Sequence, residues 1–195
     1  MKRLVLFAFF LLSIFEGLCA QSKFHIDVDY HYNLGISEKF VSRRYSRTAY
    51  KMGGNSLRFA TRYDVSTVLS TGIGAGLDRY TEVDFNTMPI YATIRYSPIR
   101  KVHDVYLFSD IGYALKIAQD YNPGFTGKLG FGYVLQVTNH LGVNFQVAYD
   151  FKDFQKIPTI SYDEENQKNI YYDSNSIRHS ISFGVGGDIL KLSPL

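Results

Sequence analysis

The sequence predicts an all-β protein, an eight-stranded antiparallel up-and-down transmembrane β-barrel. From residue 24 onward the chain contains eight segments in which apolar and polar side chains alternate, and a period of two is that of a β-strand with two different faces. The connections between these segments alternate between longer and shorter lengths, as in a meander with turns at one end and loops at the other. The polar faces are rich in charged residues and glycine, which suits the narrow interior of an eight-stranded barrel.

Residues 1–20 have the features of a secretory signal peptide. Lys2 and Arg3 precede an apolar run over residues 4–15, and Ala20 is the predicted cleavage position. Residues 21–195 then form the barrel domain. The only cysteine, Cys19, lies in the leader, so the exported chain has no disulfide and its stability must come from strand pairing and packing.

The first predicted strand, residues 24–36, shows the alternation most clearly. All its even positions are large and apolar, and all its odd positions are polar or glycine. The other seven predicted strands cover residues 57–64, 68–79, 90–96, 105–117, 125–137, 141–152 and 177–189. Two long connections, residues 38–54 and 153–175, are predicted to be loops.

The polar face decides between a membrane barrel and a soluble barrel that turns its apolar face inward. Six acids and seven bases lie on it, interleaved with Gly, Ser and Ala, and the run Gly72-x-Gly74-x-Gly76 suits a crowded interior better than an exposed surface. Buried charges of opposite sign are expected to pair, so we predict a largely filled lumen without an open pore. The residues expected in this charge network are His25, Asp27, Asp29, His31, Arg58, Arg62, Arg95, Asp110, Lys128, Asp150 and Arg178.

Five blocks of aromatics and glycines resemble the small porin-like outer membrane protein β-barrel domain family of Gram-negative bacteria. They are GIGAGLDRY at 72–80, MPIYATIRYSP at 88–98, VYLFSDIGYAL at 105–115, GKLGFGYVL at 127–135 and LGVNFQVAYDF at 141–151. The resemblance implies an integral outer-membrane location, contact with outer-membrane lipid and assembly by the barrel-insertion machinery. The family often ends in an aromatic residue that this machinery reads, whereas this chain ends at Leu195.

The spacing of the possible metal-ligating and catalytic residues favours a protein that is not an enzyme. His25 and His31 are six residues apart, roughly 20 Å along a strand, which is too far for one metal ion. His179 and Ser180 form the only close His–Ser pair, and adjacent strand residues point to opposite faces, so they cannot act as base and nucleophile. We therefore expect no catalytic residues, no metal and no cofactor, and the formal net charge of +3 requires no nucleic acid.

Opposite charges accumulate on the two long connections. Residues 38–54 carry five bases and one acid, a net charge of +4, and residues 153–175 carry five acids and two bases, a net charge of −3. In a closed meander these connections are neighbours, so their charges could pair with each other. Alternatively, the basic residues of the first connection contact lipopolysaccharide phosphates. The residues concerned are Arg43, Arg44, Arg47 and Lys51.

The predicted function is that of a non-enzymatic, monomeric outer-membrane protein with a structural or surface-interaction role. Its extracellular loops would bind a surface ligand that the sequence does not identify. The alternative is a narrow porin for the passive diffusion of small solutes.

Overall fold

The computed structural model describes residues 24–41, 43–49, 52–80, 86–99, 104–117, 122–138, 141–163 and 167–188. These residues form nine strands: β1 (Phe24–Phe40), β2 (Arg43–Ser46), β3 (Gly53–Asp64), β4 (Leu69–Tyr80), β5 (Thr87–Tyr96), β6 (Val105–Lys116), β7 (Asn122–Thr138), β8 (Leu141–Asp163) and β9 (Lys168–Asp188). Among them no helix is long and apolar enough to cross a membrane. The predicted signal peptide and the end of the chain lie outside the described residues.

The nine strands occupy eight positions in a closed ring. Every neighbouring pair is antiparallel, and the ring closes where β1 pairs with β9. The short strand β2 pairs with residues 37–40 of β1, while β3 pairs with residues 24–34 along the same edge of β1. Since β2 and β3 share one position, the predicted eight-stranded up-and-down barrel is confirmed.

The distribution of side chains is the reverse of that in a soluble protein. Outward-facing Ile73 and Leu129 are 70% and 63% exposed, whereas inward-facing Asp27 is 0% exposed. Backbone groups are paired around the whole ring, and an apolar outer surface on such a barrel is stable only against lipid. The protein is therefore an integral β-barrel of the outer membrane, with the membrane-facing and lumenal sides as the alternation predicted.

The lumenal glycines make room for large side chains on the neighbouring strand. A Cβ atom on Gly74 would lie 2.4 Å from Cζ of Tyr91, and one on Gly132 would lie 2.4 Å from Cζ of Tyr106. In each case a tyrosine ring lies across a glycine of the adjacent strand. The glycines on the inner face are thus part of the interior packing.

The prediction that residues 153–175 form a loop is wrong for most of this segment. β8 continues to Asp163 and β9 begins at Lys168, and the two strands pair beyond a β-bulge between Phe154 and Ile157. The bulge includes Lys156, whose φ is 53°, and it breaks the period of two. Residues 157–163 and 168–174, called the arm below, pair only with each other among the described residues.

The predicted loop over residues 38–54 is also partly strand, because β1 extends to Phe40 and β2 follows. A bulge at Ile36 shifts the pairing of β1 with β9 between Gly35 and Ser37. As a consequence an even-numbered residue, Glu38, points inward, although even positions face outward earlier in the strand. A β-bulge inserts one extra residue and reverses the alternation beyond it.

Candidate functional site

The end of the lumen near the short turns holds a cluster of ion pairs. Both Nε and Nη2 of Arg62 donate to the carboxylate of Asp27, with Nη2 3.0 Å from Oδ1. Nη2 of Arg95 lies 3.2 Å from Asp27 and 3.7 Å from Asp29. Nη2 of Arg62 also contacts Asp188 at 3.1 Å. Two guanidinium groups thereby bridge three carboxylates contributed by β1 and β9.

His25 and a polar cavity lie at the mouth of this cluster. Nδ1 of His25 is 3.1 Å from Asp188, and Nε2 is 3.0 Å from Asp64. The cavity has a volume of about 380 Å³, and its lining includes His25, Arg95 and Tyr106. The Tyr106 hydroxyl is buried and has no hydrogen-bond partner among the described residues. The cavity is therefore lined by polar groups and lies at the short-turn end of the lumen.

In the middle of the lumen, fewer of the buried polar groups form hydrogen bonds or ion pairs than in the cluster around Asp27. Nζ of Lys128 donates to Oγ of Ser182 at 3.2 Å and lies 3.6 Å from Oδ2 of Asp150. Ser182 also contacts Nδ1 of His31 at 3.2 Å. Both carboxylate oxygens of Asp150 are buried without a hydrogen bond from any described residue. Asp110 is half-buried opposite Lys128, and no ion pair of its carboxylate is found among the described residues.

The half of the lumen toward the long connections is more completely bonded. Asp78 accepts a hydrogen bond from Nη2 of Arg58 at 2.9 Å, another from Nζ of Lys152 and a third from Thr87 at 3.1 Å. Because Lys152 belongs to β8 and Asp78 to β4, this contact crosses the lumen. All four side chains are buried.

A layer of four buried side chains, called the plug below, lies in the lumen beyond Asp78 and consists of Glu38, Tyr80, Phe154 and Arg178. The ring of Tyr80 meets the ring of Phe154 edge to face at 5.8 Å, and the Arg178 guanidinium lies 4.9 Å from the Tyr80 ring centroid. Nζ of Lys152 lies 5.6 Å from the same ring. Nε of Arg178 donates to Glu38 at 2.9 Å. Aromatic rings and paired charges together occupy the space here.

Glu38 is a lumenal residue that the sequence-based prediction placed in a loop. Its carboxylate accepts hydrogen bonds from Arg178 and from Oγ of Ser176, and it is buried. The bulge at Ile36 conceals its orientation, since simple alternation would turn residue 38 outward. The signal that could have identified it is the break in alternation immediately after residue 36.

The described arginines of the first connection, Arg43, Arg44 and Arg47, do not form one patch. Arg43 and Arg44 lie in β2, so their side chains leave opposite faces, and Arg47 lies in the following turn. All three are exposed, and Lys51 is outside the described residues. Among the described residues no ion pair joins any of them to an acid of the arm. Glu164 and Glu165, which the charge-pairing hypothesis also includes, lie outside the described residues.

His179 and Ser180 point to opposite sides of the barrel wall. The imidazole of His179 stacks on the outward-facing Tyr149 ring at 5.8 Å, while Ser180 is buried in the lumen. The pair therefore has no geometry for nucleophilic catalysis. In the part of the chain that the structure describes, no group of three or more His, Cys, Asp or Glu side chains could hold a metal ion.

Comparison with solved structures finds several outer-membrane barrels at low sequence identity. The outer membrane protein OprG from Pseudomonas aeruginosa is 10% identical, with a TM-score of 0.47 over 86% of this chain and 95% of that chain. AlkL, solved in DMPC lipid bilayers, is 11% identical, with a TM-score of 0.49 over 90% and 93%. Neisserial surface protein A is 14% identical, with a TM-score of 0.43 over 83% and 96%. No protein-family model and no curated protein matches this chain.

Proposed function

We propose that this protein is a non-enzymatic outer-membrane anchor that holds the arm above the cell surface for interaction with a ligand outside the cell. The observation that most supports this proposal is the combination of a plugged lumen with a paired hairpin that continues beyond the barrel. A plugged barrel has little use as a channel, whereas a rigid hairpin on a membrane anchor is suited to display.

The plug supports an anchor because opening it would separate buried charges. Moving Arg178 would remove the two hydrogen bonds that its guanidinium donates to Glu38. Moving Lys152, which lies directly below the plug, would remove one of the two cations that contact Asp78. Removing one partner from a buried ion pair costs about 3–5 kcal/mol. The closed arrangement is therefore the stable one.

The arm supports a surface role because it exposes a row of apolar and aromatic side chains. Ile160 lies opposite Tyr171 in the pairing of β8 with β9, so both project from the same face of the arm. Ile160, Tyr162 and Tyr171 are 61%, 60% and 74% exposed. Exposed side chains of this type, raised beyond the barrel wall, are common at sites of macromolecular recognition.

One observation favours the alternative of a narrow porin. The cavity of about 380 Å³ at the short-turn end provides the inner half of a possible solute path. In the closed structure the plug separates this cavity from the long-loop end. A porin function would therefore require the plug to move.

Single-channel recording distinguishes these two functions. Purified protein in planar lipid bilayers is expected to give no stable conductance, because the plug blocks the lumen. Steady nanosiemens steps from the monomer would overturn the anchor proposal in favour of the porin. Heat-modifiable migration of the same preparation on a denaturing gel serves as the control that the barrel is folded.

The position of the arm is tested by trypsin treatment of intact cells. Exposed Lys156 and Lys168 lie at the two ends of the arm strands, so cleavage there is expected without cell lysis. A K156Q/K168Q variant is the matched control and should resist cleavage at both positions. Cleavage that occurs only after lysis would place the arm in the periplasm and contradict the proposal.

A further inference from the structure

We propose that Lys39 and Arg44 form a binding site for a phosphate group carried by a lipid of the outer leaflet. The inference rests on the proposed orientation, in which the long-loop end of the barrel faces the cell exterior.

Lys39 and Arg44 lie directly opposite each other in the pairing of β1 with β2. Side chains at directly opposite positions of an antiparallel pair have Cβ atoms about 4.5–5.5 Å apart, and like charges at such positions repel. Both side chains are exposed. An anion between them would relieve the repulsion, and a phosphate can accept hydrogen bonds from both cations.

The pair points away from the lumen. The preceding pair in the same hairpin is Glu38 opposite Tyr45, and Glu38 is buried against Arg178 inside the barrel. Successive residues of a strand alternate between the two faces. Lys39 and Arg44 therefore project from the outer wall, on the side that meets the membrane.

The pair also lies at the height of the lipid headgroups. In the pairing of β1 with β9, Ser37 is opposite His179 and Lys39 is opposite Ile177. His179 contacts the outward-facing rings of Tyr149 and Phe151 at 5.8 Å and 5.7 Å, an aromatic group typical of a membrane interface. Lys39 is two residues farther along its strand than Ser37, which is roughly 7 Å beyond these aromatics.

The outward-facing acid Asp153 does not neutralise the pair. Asp153 lies opposite Ile177 on the far side of β9, two strand spacings or roughly 10 Å from Lys39. Its Oδ2 accepts a hydrogen bond from Gln155 at 2.6 Å. Among the described residues neither Lys39 nor Arg44 has an ion pair with a carboxylate.

These positions favour a phosphate carried by a lipid over a free phosphate. A lipid whose phosphate lies between Lys39 and Arg44 can extend its acyl chains over the exposed Ile36 and the apolar belt below it. Arg43 belongs to the face that carries Glu38, because it lies opposite Phe40. Arg43 therefore cannot join the same site.

Lipid retention by purified protein tests this proposal. Wild type, K39S/R44S and the matched control R43S/R47S are mixed in detergent with diphosphorylated lipid A or with enzymatically dephosphorylated lipid A, and bound lipid is counted by native mass spectrometry. Both variants remove two positive charges from the same connection, residues 38–54. We expect K39S/R44S to bind phosphorylated lipid A about ten-fold more weakly, with the control unchanged and dephosphorylated lipid A bound weakly by all three.

Additional measurements and variants distinguish the remaining outcomes. Heat-modifiable migration verifies that each variant is folded, and the charge-conserving K39R/R44K variant should retain the lipid even if K39S/R44S is poorly folded. Equal retention by K39S/R44S, or an equal loss in the control, would overturn the site. Competition by inorganic phosphate at equal concentration would show that the site takes free phosphate and overturn the lipid assignment. Cleavage of the arm only after cell lysis would contradict the proposed orientation, and channel conductance would contradict the anchor function. Neither result changes lipid retention by the purified protein, so these failures are distinguishable from a failure of the site.

Discussion

Asp78 connects two cations that approach it from different parts of the lumen. Arg58 comes from the adjacent strand β3, and Lys152 comes from β8 across the barrel. The Asp78 side chain is fully buried, so its charge is screened very little by water. A single carboxylate therefore compensates two basic groups, and its removal affects both.

Replacing Asp78 with Asn is expected to destabilise the barrel by about 3–5 kcal/mol, because two buried cations lose their counter-charge while the shape is conserved. Urea unfolding of protein reconstituted in lipid vesicles measures the change. Asp173→Asn removes the same charge from an exposed position of the arm and should change stability by no more than about 0.5 kcal/mol. Equal effects of the two substitutions would contradict the assigned role of Asp78.

Gly74 has no room for a side chain, because the Tyr91 ring occupies the space above it. Gly74→Val should cost about 1–3 kcal/mol or prevent folding, since Tyr91 and the backbone of β3 leave no room for the added atoms. Ala75→Val adds bulk one residue away on the exposed outer face and should be tolerated. The fraction of protein with heat-modifiable migration measures both, and a well-folded Gly74→Val would show that the interior is looser than described.

At the scale of strands, the sequence predicted those parts of the barrel that have one apolar face. The alternation in residues 24–36, 141–152 and the other predicted strands arises because one face of each strand contacts lipid and the other faces the charged lumen. The arm escaped prediction because side chains on both of its faces are exposed and the bulge at Lys156 interrupts its period. Glu38 escaped for the related reason that a bulge reverses the alternation before it. Both regions lie beyond a β-bulge, where the period of two no longer indicates which face a residue occupies.

The arm is expected to be independent of the barrel that carries it. Ile157 packs on the Tyr80 and Phe154 cluster, but the residues beyond it pair only within the arm among the described residues. Removing residues 158–173 and joining Ile157 to Ser174 through Asn-Gly, which favours a tight hairpin turn, should leave the barrel folded. Heat-modifiable migration and thermal unfolding test this, and a shortened protein that fails to fold would show that the arm contributes to barrel stability.

At the scale of the whole molecule, the lumen is organised by contacts between strands that are distant in the ring. Lys152 of β8 reaches Asp78 of β4, and Arg95 of β5 reaches Asp27 of β1. Alternation predicts which face a residue occupies, but it does not predict the height or the partner of its side chain. For this reason the charged lumen could be predicted from the sequence, whereas the particular pairs, the cavity and the plug could not. Their positions depend on the stagger and closure of the complete barrel.

The plug yields a prediction about the molecule as a whole. The cavity at the short-turn end and the opening at the long-loop end are separated by the layer that contains Tyr80 and Phe154. In Y80A/F154A both rings are lost, Arg178 loses the two rings beside its guanidinium, and water should connect the two ends. We expect this variant to show discrete single-channel steps in planar bilayers, unlike the wild type.

The matched control for Y80A/F154A is F151A, which removes an outward-facing ring from the same strand as Phe154 and should remain non-conducting. Both variants must first show heat-modifiable migration, so that an absence of conductance cannot be due to misfolding. A folded Y80A/F154A that conducts no better than F151A would mean that the charged groups below the plug, Arg58, Asp78 and Lys152, close the lumen without the help of the rings.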